Sequence, residues 1–284
     1  MYDALEDEFG DVIGKARRGQ ERSVAQVASA CGLSSSDVER IESYQLIPDA
    51  SAVTALASDL GLDASKLLRA AAGEFLPSEP GGRDYVGVDV EMRVLGSDFL
   101  MNGYVVGCAR DKVGAVIDPG FQADRILQAA ESAQIEIELI LLTHGHHDHV
   151  GALAEIRDAT QADVLASEGE MELLGDLRQQ VDGYLVPNEV IDVGRQSFRV
   201  AATPGHTPAG VSLIHEEIAF VGDALFAGSL GGTRNIQDFE RQRSAVADQI
   251  LSLPEQTTLY PGHGPATTVG EELVNNPFFK RLTP

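Results

Sequence analysis

Residues 143–149 read THGHHDH, which places four histidines and one aspartate within seven positions. The apolar run IELILLT leads into this segment and predicts a strand that is buried on both faces. Loops that follow the carboxyl ends of strands are where α/β proteins place their ligands. Because side chains alternate along an extended turn, we expect His144 and His146 to project to the same side. The segment therefore predicts a metal site.

The rest of this cluster offers a second metal position. Asp148 and His149 come at the start of the next predicted helix and can face another way, whereas His147 should point away from both positions. Imidazoles and carboxylates together suit zinc, manganese or iron. Three more loops after predicted strands each hold one residue of these types, namely His206, Asp223 and His263.

The two cysteines, Cys31 and Cys108, take no part in this pattern. No cysteine lies near the histidines, which excludes a zinc-finger site. Two cysteines far apart in the chain fit a reducing compartment without a disulfide framework. The acidic start MYDALEDEFGD lacks a signal-peptide pattern, and every apolar run is too short to span a bilayer. We therefore expect a cytoplasmic protein without a membrane partner.

The elements that must position these residues alternate between strand and helix patterns. The stretch VGVDVEMRV at 86–94 alternates as a half-buried strand does, from its first residue, Val86. Helical spacing follows in QADRILQAAESA and VGALAEIRDA, which predicts a layered α/β architecture. Prolines and glycines at 76–84 predict a linker. We therefore expect a helical domain at 1–75 and an α/β domain at 85–284.

The motif THGHHDH matches the T-H-x-H-x-D-H signature of the metallo-β-lactamase superfamily, and residues 86–284 resemble that family throughout. The resemblance implies an αββα sandwich with a dinuclear metal site at one edge. It assigns one divalent ion to His144, His146 and His206, the other to Asp148, His149 and His263, and a bridging role to Asp223. Zinc is the favoured metal, and iron and manganese are the alternatives.

Two such ions roughly 3.5–4 Å apart can share a water and lower its pKa towards about 7. The resemblance thus implies a hydrolase that uses a metal-bridging hydroxide, with Asp148 and Asp223 as catalytic residues. True β-lactamases carry cysteine or serine at the bridging position, which disfavours antibiotic hydrolysis here.

The stretches GDALFAGSLGGT and YPGHGPATTVGEELVNNPF resemble the glyoxalase II-like branch, the hydroxyacylglutathione hydrolases. This implies a small-molecule substrate, a thioester such as S-lactoylglutathione. Three alternatives stay open: a persulfide dioxygenase with one iron, a metabolite-sensing DNA-binding regulator, and a lactonase or phosphodiesterase.

Two departures from that branch leave the thiol carrier open. Glyoxalase II has a large C-terminal helical domain that helps to hold glutathione, whereas only a short segment follows His263. Relatives also carry a basic or aromatic residue where this chain has Gly232. Arg234, Lys280 and Arg281 could compensate for the missing cation, although ordinary surface charge is the slightly favoured interpretation of all three.

The first region resembles the Cro/repressor-type (XRE) helix-turn-helix family over residues 10–73. Its first helix is predicted to start at Ser23, with Gln26 completing a capping box, and Gly32 permits the turn before a second helix at 34–44. In that family the second helix enters the DNA major groove. The candidate DNA contacts are Arg17, Arg18, Arg22, Ser35, Ser36 and Arg40, and the resemblance allows a homodimer.

The charge of the chain opposes DNA binding. The net charge is −23 and the isoelectric point is about 4.5. Residues 1–76 hold 7 Lys and Arg against 13 Asp and Glu. Because phosphate contacts dominate affinity for DNA, a helical module for dimerisation or protein contact is an equal alternative.

Overall fold

A computed structural model of the chain describes residues 2–280, so that Arg281 lies outside the described residues. Twelve strands form two sheets within this range. The strands of the first sheet are β1 Val88–Leu95, β2 Met101–Cys108, β3 Val113–Ile117, β4 Glu136–Leu141, β5 Asp163–Ala166 and β6 Gly183–Tyr184. Those of the second are β7 Val190–Val193, β8 Gln196–Ala202, β9 Val211–Ile214, β10 Ile218–Gly222, β11 Thr258–Pro261 and β12 Thr267–Thr268.

In both sheets the spatial order of the strands follows the chain order. Strands β3 to β6 run parallel, as do β10 and β11, while the other neighbouring pairs are antiparallel. The parallel pairs matter most for function, because their carboxyl ends collect at one edge, where ligands bind in open α/β sheets.

Eleven α-helices of the described range surround these sheets. The helices are α1 Phe9–Gly19, α2 Val24–Cys31, α3 Ser35–Glu42, α4 Ala50–Asp59, α5 Ala64–Ala71, α6 Ala123–Ala133, α7 His147–Val150, α8 Leu153–Thr160, α9 Met171–Leu174, α10 Ile236–Gln249 and α11 Val269–Asn275. Within this range no helix combines the length and apolarity that crossing a bilayer requires.

The hydrophobic core is layered as the αββα prediction requires. Aromatic side chains fill the space between the sheets, where the rings of Tyr104 and Phe220 meet edge to face at 5.1 Å. Helices α6 and α8 cover the outer face of the first sheet, and α10 and α11 cover that of the second. The predicted fold class, a mixed α/β sandwich of this type preceded by helices, is confirmed.

The N-terminal helices α1 to α5 pack into the same apolar cluster as α10 and α11. The stretch 76–84 between the two regions is also anchored: Ser78 N donates to Glu271 Oε1 at 2.8 Å, and Ala266 N donates to Pro80 O at 2.9 Å. The domain ranges 1–75 and 85–284 stay a prediction, but the two regions share one core.

Two details of the predicted strands are wrong. Strand β1 begins at Val88, and Val86 is 97% exposed, because the pairing of β1 with β2 starts only at Val88 opposite Cys108. In β4, Glu138 faces solvent, so the strand is buried on both faces only from Ile140 onward. The predicted capping box of Ser23 is present at the start of α2.

Glu272 in α11 is a buried carboxyl group whose ionisation should affect stability. It accepts hydrogen bonds from Gly228 N at 3.0 Å and from Asn276 Nδ2 at 2.8 Å. Burial nevertheless raises the pKa of Glu272 to about 7. The folded protein therefore holds a proton that the unfolded chain releases near its ordinary pKa of 4.5. Stability must fall as pH rises from there through about 7.

We expect Glu272→Gln to remove this dependence. Relative to the variant, the wild-type protein should lose up to about 3 kcal/mol of its free energy of unfolding between pH 5 and pH 8. Urea denaturation at a series of pH values measures it, with Glu240→Gln, an exposed carboxylate in α10, as control. Parallel pH curves for wild type and Glu272→Gln would contradict the prediction.

Candidate metal centre

The predicted ligands all lie where strands of the two sheets end. His144 and His146 follow β4, while Asp223 and His263 follow the parallel neighbours β10 and β11. His206 lies in the loop between β8 and β9. The sheets are joined at this edge, since Val211 N donates to Thr143 O at 2.9 Å. Residues far apart in sequence therefore meet.

Four of these residues form a first cluster. The possible ligand atoms of His144, His146, His206 and Asp223 all lie within 4.8 Å of one another. Nε2 of His206 lies 2.9 Å from Nδ1 of His146 and 3.2 Å from Oδ2 of Asp223. A tetrahedral zinc ion with bonds of about 2.0–2.1 Å holds its ligand atoms about 3.3 Å apart. The spacing of the cluster fits such an ion.

Asp148, His149 and His263 form a second cluster with the same spacing. The Nε2 atoms of the two histidines are 3.3 Å apart, and Oδ2 of Asp148 lies 3.4 Å and 3.3 Å from them. Asp223 lies between the clusters, with Oδ1 3.4 Å from Nε2 of His149 and Oδ2 3.6 Å from Nε2 of His263. Its carboxylate can thus serve both clusters.

Two buried atoms of this site have no hydrogen-bond partner within residues 2–280, namely Nε2 of His144 and Oδ1 of Asp223. Both side chains are almost fully buried. Buried polar atoms are nearly always paired, because leaving one unpaired costs about 1–3 kcal/mol. The donor set therefore fits metal ions, which would satisfy both atoms.

The second ring nitrogen of His206 and that of His263 are each held by a backbone carbonyl group. Nδ1 of His206 donates to Gly232 O at 2.8 Å, and Nδ1 of His263 donates to Leu100 O at 2.7 Å. Such partners fix the tautomer and orientation of metal-binding histidines. Gly232 lies at the position where the resemblance implied a basic or aromatic side chain. Its backbone carbonyl group orients His206.

The electrostatics favour the metal-binding form of His144, His146 and Asp223. Burial lowers the pKa of His146 to about 4 and holds that of His144 well below its ordinary value. Burial by itself would raise the pKa of Asp223, but the histidines around it, His149 first, hold it well below the ordinary value. At neutral pH these two imidazoles are neutral and Asp223 is ionised, as ligands must be.

Asp118 is a candidate positioning residue that the sequence analysis missed. It lies just after β3, is 1% exposed, and accepts hydrogen bonds from Thr143 N at 2.8 Å and Thr143 Oγ1 at 2.6 Å. Its Oδ2 lies 3.0 Å from Nδ1 of His149. Because Nε2 of His149 faces the other carboxylates, Asp118 orients this ring. The available signal was the sequence VIDPG, another aspartate at a strand end.

We expect Asp118→Asn to reduce turnover and metal affinity by about 10-fold to 100-fold, since an amide cannot accept from all three donors. Asparagine tolerates the backbone here, where φ is +51°. Turnover and competition with a metallochromic chelator measure the two effects. Asp111→Asn, which removes a carboxylate paired with Arg195 on the surface, is the control. Unchanged metal affinity in Asp118→Asn would contradict the assigned role.

The remaining predicted residues lie away from the two clusters. His147 is 88% exposed, as expected, and His215 contacts Gln196 Oε1 at 3.0 Å. Arg234 and Lys280 are exposed. Phe99 at the edge of the site was not predicted: its ring centre lies 5.0 Å from that of His263, and the side chain is 55% exposed. It offers an apolar surface beside the metal ligands.

Some of the residues predicted to contact DNA are paired with carboxylates inside the N-terminal region, and others are exposed. Arg17 donates to Glu42 at 2.6 Å and 2.8 Å, and Arg22 donates to Asp59 at 2.5 Å, so both link helices of the N-terminal region. The cations nearer the surface are Arg18, 3.5 Å from Glu42, and Arg40, 3.6 Å from Asp37. Ser35 and Ser36 are exposed at the start of α3. DNA binding stays a prediction. Two of its candidate phosphate contacts, Arg17 and Arg22, are already paired with carboxylates of the chain.

Comparison with known proteins concerns the second region. The profile of the family described as "Metallo-beta-lactamase superfamily" matches residues 98–263. Hydroxyacylglutathione hydrolase GloC of Haemophilus influenzae is 33% identical over 186 residues, which cover 59% of this chain and 88% of that protein.

Two solved structures share the fold. The BLEG-1 B3 metallo-beta-lactamase is 31% identical with a TM-score of 0.60, and the match covers 67% of this chain and 99% of that one. The protein TTHA1623, solved in a di-iron-bound form, is 29% identical with a TM-score of 0.54, covering 66% of this chain and all of its own. The two structures thus share the fold. The names of the matched proteins state different activities, and one of them states a di-iron-bound form.

Proposed function

The chain belongs to the metallo-beta-lactamase superfamily and is a metallo-hydrolase of that family, and we propose that its substrate is a thioester. The observation that carries the proposal is the pair of clusters on either side of Asp223, with two buried ligand atoms that have no hydrogen-bond partner within residues 2–280. The similarity to a hydroxyacylglutathione hydrolase over most of that protein supports the thioester as substrate.

The proposed ligand sets are those of the two clusters. One ion would be held by His144, His146 and His206, the other by Asp148, His149 and His263, with Asp223 between them. Two divalent ions would supply an acidified water as nucleophile and a Lewis acid for the thioester carbonyl oxygen. Zinc is the proposed metal, with iron the main competitor because a relative is di-iron-bound.

The residues of the chain have distinct parts in this reaction. Asp148 lies at the open side of its cluster, 12% exposed, where its carboxylate can accept the proton of the attacking water. Phe99, beside His263, can contact the apolar part of a bound substrate. The backing contacts from Asp118, Gly232 and Leu100 hold the imidazoles rigid.

Metal stoichiometry and an anaerobic thioester assay test the proposal together. We expect about two ions of zinc, iron or manganese per chain, and hydrolysis of S-lactoyl thioesters without oxygen. A β-lactam belongs in the same panel, because BLEG-1 is named a B3 metallo-beta-lactamase. One iron per chain with oxygen consumption on glutathione persulfide would overturn the proposal in favour of the dioxygenase. Hydrolysis of the β-lactam, a lactone or a phosphodiester alone would overturn the thioester.

Three further predictions concern the location and partners of the chain. Cytoplasmic location, homodimerisation and DNA binding stay predictions. A salt-dependent shift of a DNA fragment by the full chain tests the last of these.

A further inference from the structure

The N-terminal segment, residues 2–8, is docked on the loop that carries His263. The hydroxyl group of Tyr2 donates to Oδ1 of Asn102 at 2.9 Å. Nδ2 of Asn102, which is fully buried, donates to Pro261 O at 3.0 Å and to Gly264 O at 2.8 Å. Asn102 therefore connects the N-terminal segment with the residues on both sides of His263.

A second anchor joins this segment to the loop after Asp223. The ammonium group of Lys15 in α1 pairs with Asp7, which is 7% exposed, and donates to Leu230 O at 2.9 Å. It also lies 4.5 Å from the ring centre of Phe226, whose ring is 5.6 Å from that of His263. The N-terminal region thus contacts both loops that border the metal centre.

Glu6 lies between the two anchors. A Cβ atom added to Gly264 would lie 2.8 Å from the Cβ atom of Glu6, so the segment passes directly over the residue that follows His263. Burial raises the pKa of Glu6, and the charges that act on it come from His263, Asp7, Lys15 and Asp223. Within residues 2–280 the Glu6 carboxylate forms no hydrogen bond or close ion pair.

We propose that Glu6 lines one wall of the substrate site and selects against a thiol carrier with negative charge. The inference rests on the proposed thioester hydrolysis. A carboxylate without a direct counter-ion repels an anion that approaches the same ligands, and partial burial strengthens the effect. Gly232 points the same way, because a glycine at this position of the opposite loop carries no positive charge. The carrier is therefore neutral or cationic.

Three S-lactoyl thioesters with carriers of similar size test the proposal on the full, metal-loaded chain. The carriers are N-acetylcysteamine, which is neutral, 3-mercaptopropionate, which is anionic, and N,N-dimethylcysteamine, which is cationic. We expect Glu6→Gln to raise the anionic-to-neutral ratio of kcat/KM by about tenfold and to lower the cationic-to-neutral ratio similarly. Asp3→Asn removes an exposed carboxylate from the same segment and should leave both ratios within about twofold.

Ratios within one enzyme cancel any general loss of activity, so a purely structural role of Glu6 would not change them. If Glu6→Gln alters the ratios no more than Asp3→Asn does, the proposal is overturned. If none of the thioesters is hydrolysed, the proposed function fails instead. The role of Glu6 is then tested by the binding of the free thiols. The free thiols are then titrated into cobalt-substituted protein, and the thiolate-to-cobalt absorption gives Kd. The same tenfold change in the Kd ratio supports the role of Glu6, and its absence overturns it.

Discussion

Asp223→Ala should reduce turnover by at least about a thousandfold and leave the protein unable to retain either metal ion through gel filtration. The physical reason is the position of this carboxylate. Its oxygens lie 3.2 Å from Nε2 of His206 in one cluster and 3.4 Å from Nε2 of His149 in the other. Elemental analysis measures the metal, and steady-state assays measure turnover.

The matched control is Asp192→Ala, which removes an exposed carboxylate from β7 of the same sheet. It should keep its metal and its activity. In both variants the helical signal of α1 to α5 should persist in circular dichroism, because their core contains no metal ligand. Two ions per chain or wild-type turnover in Asp223→Ala would refute the bridging assignment.

The clustering of the candidate metal ligands could be predicted because their signal is local. His144, His146 and His149 lie within six residues, directly after an apolar strand. Each of the distant ligands repeats the same pattern, a histidine or aspartate just after a short strand. Sheets bring the ends of their strands to one edge, so residues with this pattern meet even when the pairing of the strands is unknown.

The residues that orient the ligands could not be predicted in this way. Asp118 is identified by its bonds to Thr143 and His149, which lie 25 and 31 residues away. The partners of His206 and His263 are backbone carbonyl groups, which every residue possesses. Such contacts depend on how loops pack, and no residue type or spacing marks them.

Charge in the N-terminal region was misleading for a related reason. Arg17 was selected as a phosphate contact by its sign, but its partner is Glu42, 25 residues later in the chain. The composition also gave no indication that residues 2–8 contact the loop that carries His263, because acidic residues there resemble any solvated terminus. The contact between Tyr2 and Asn102 spans 100 residues and follows from the packing of α1 against the second sheet.

His146→Ala should lower turnover by about a hundredfold or more and remove one of the two metal ions. Nδ1 of His146 faces the first cluster, 2.9 Å from Nε2 of His206. The second cluster keeps Asp148, His149 and His263, so it should retain its ion. Elemental analysis of the variant therefore gives about one ion per chain, against none for Asp223→Ala.

The adjacent residue provides the sharpest control, because it is also a histidine in the same loop. His147 is 88% exposed and its imidazole lies outside both clusters. His147→Ala should therefore leave metal content and turnover within about twofold of wild type, since changes at exposed positions have small effects. If His147→Ala lost an ion as well, His147 would also be a metal ligand. The expectation that side chains alternate along this turn, with His147 pointing away from the site, would then be wrong. If only His146→Ala loses one, the two clusters hold separate ions.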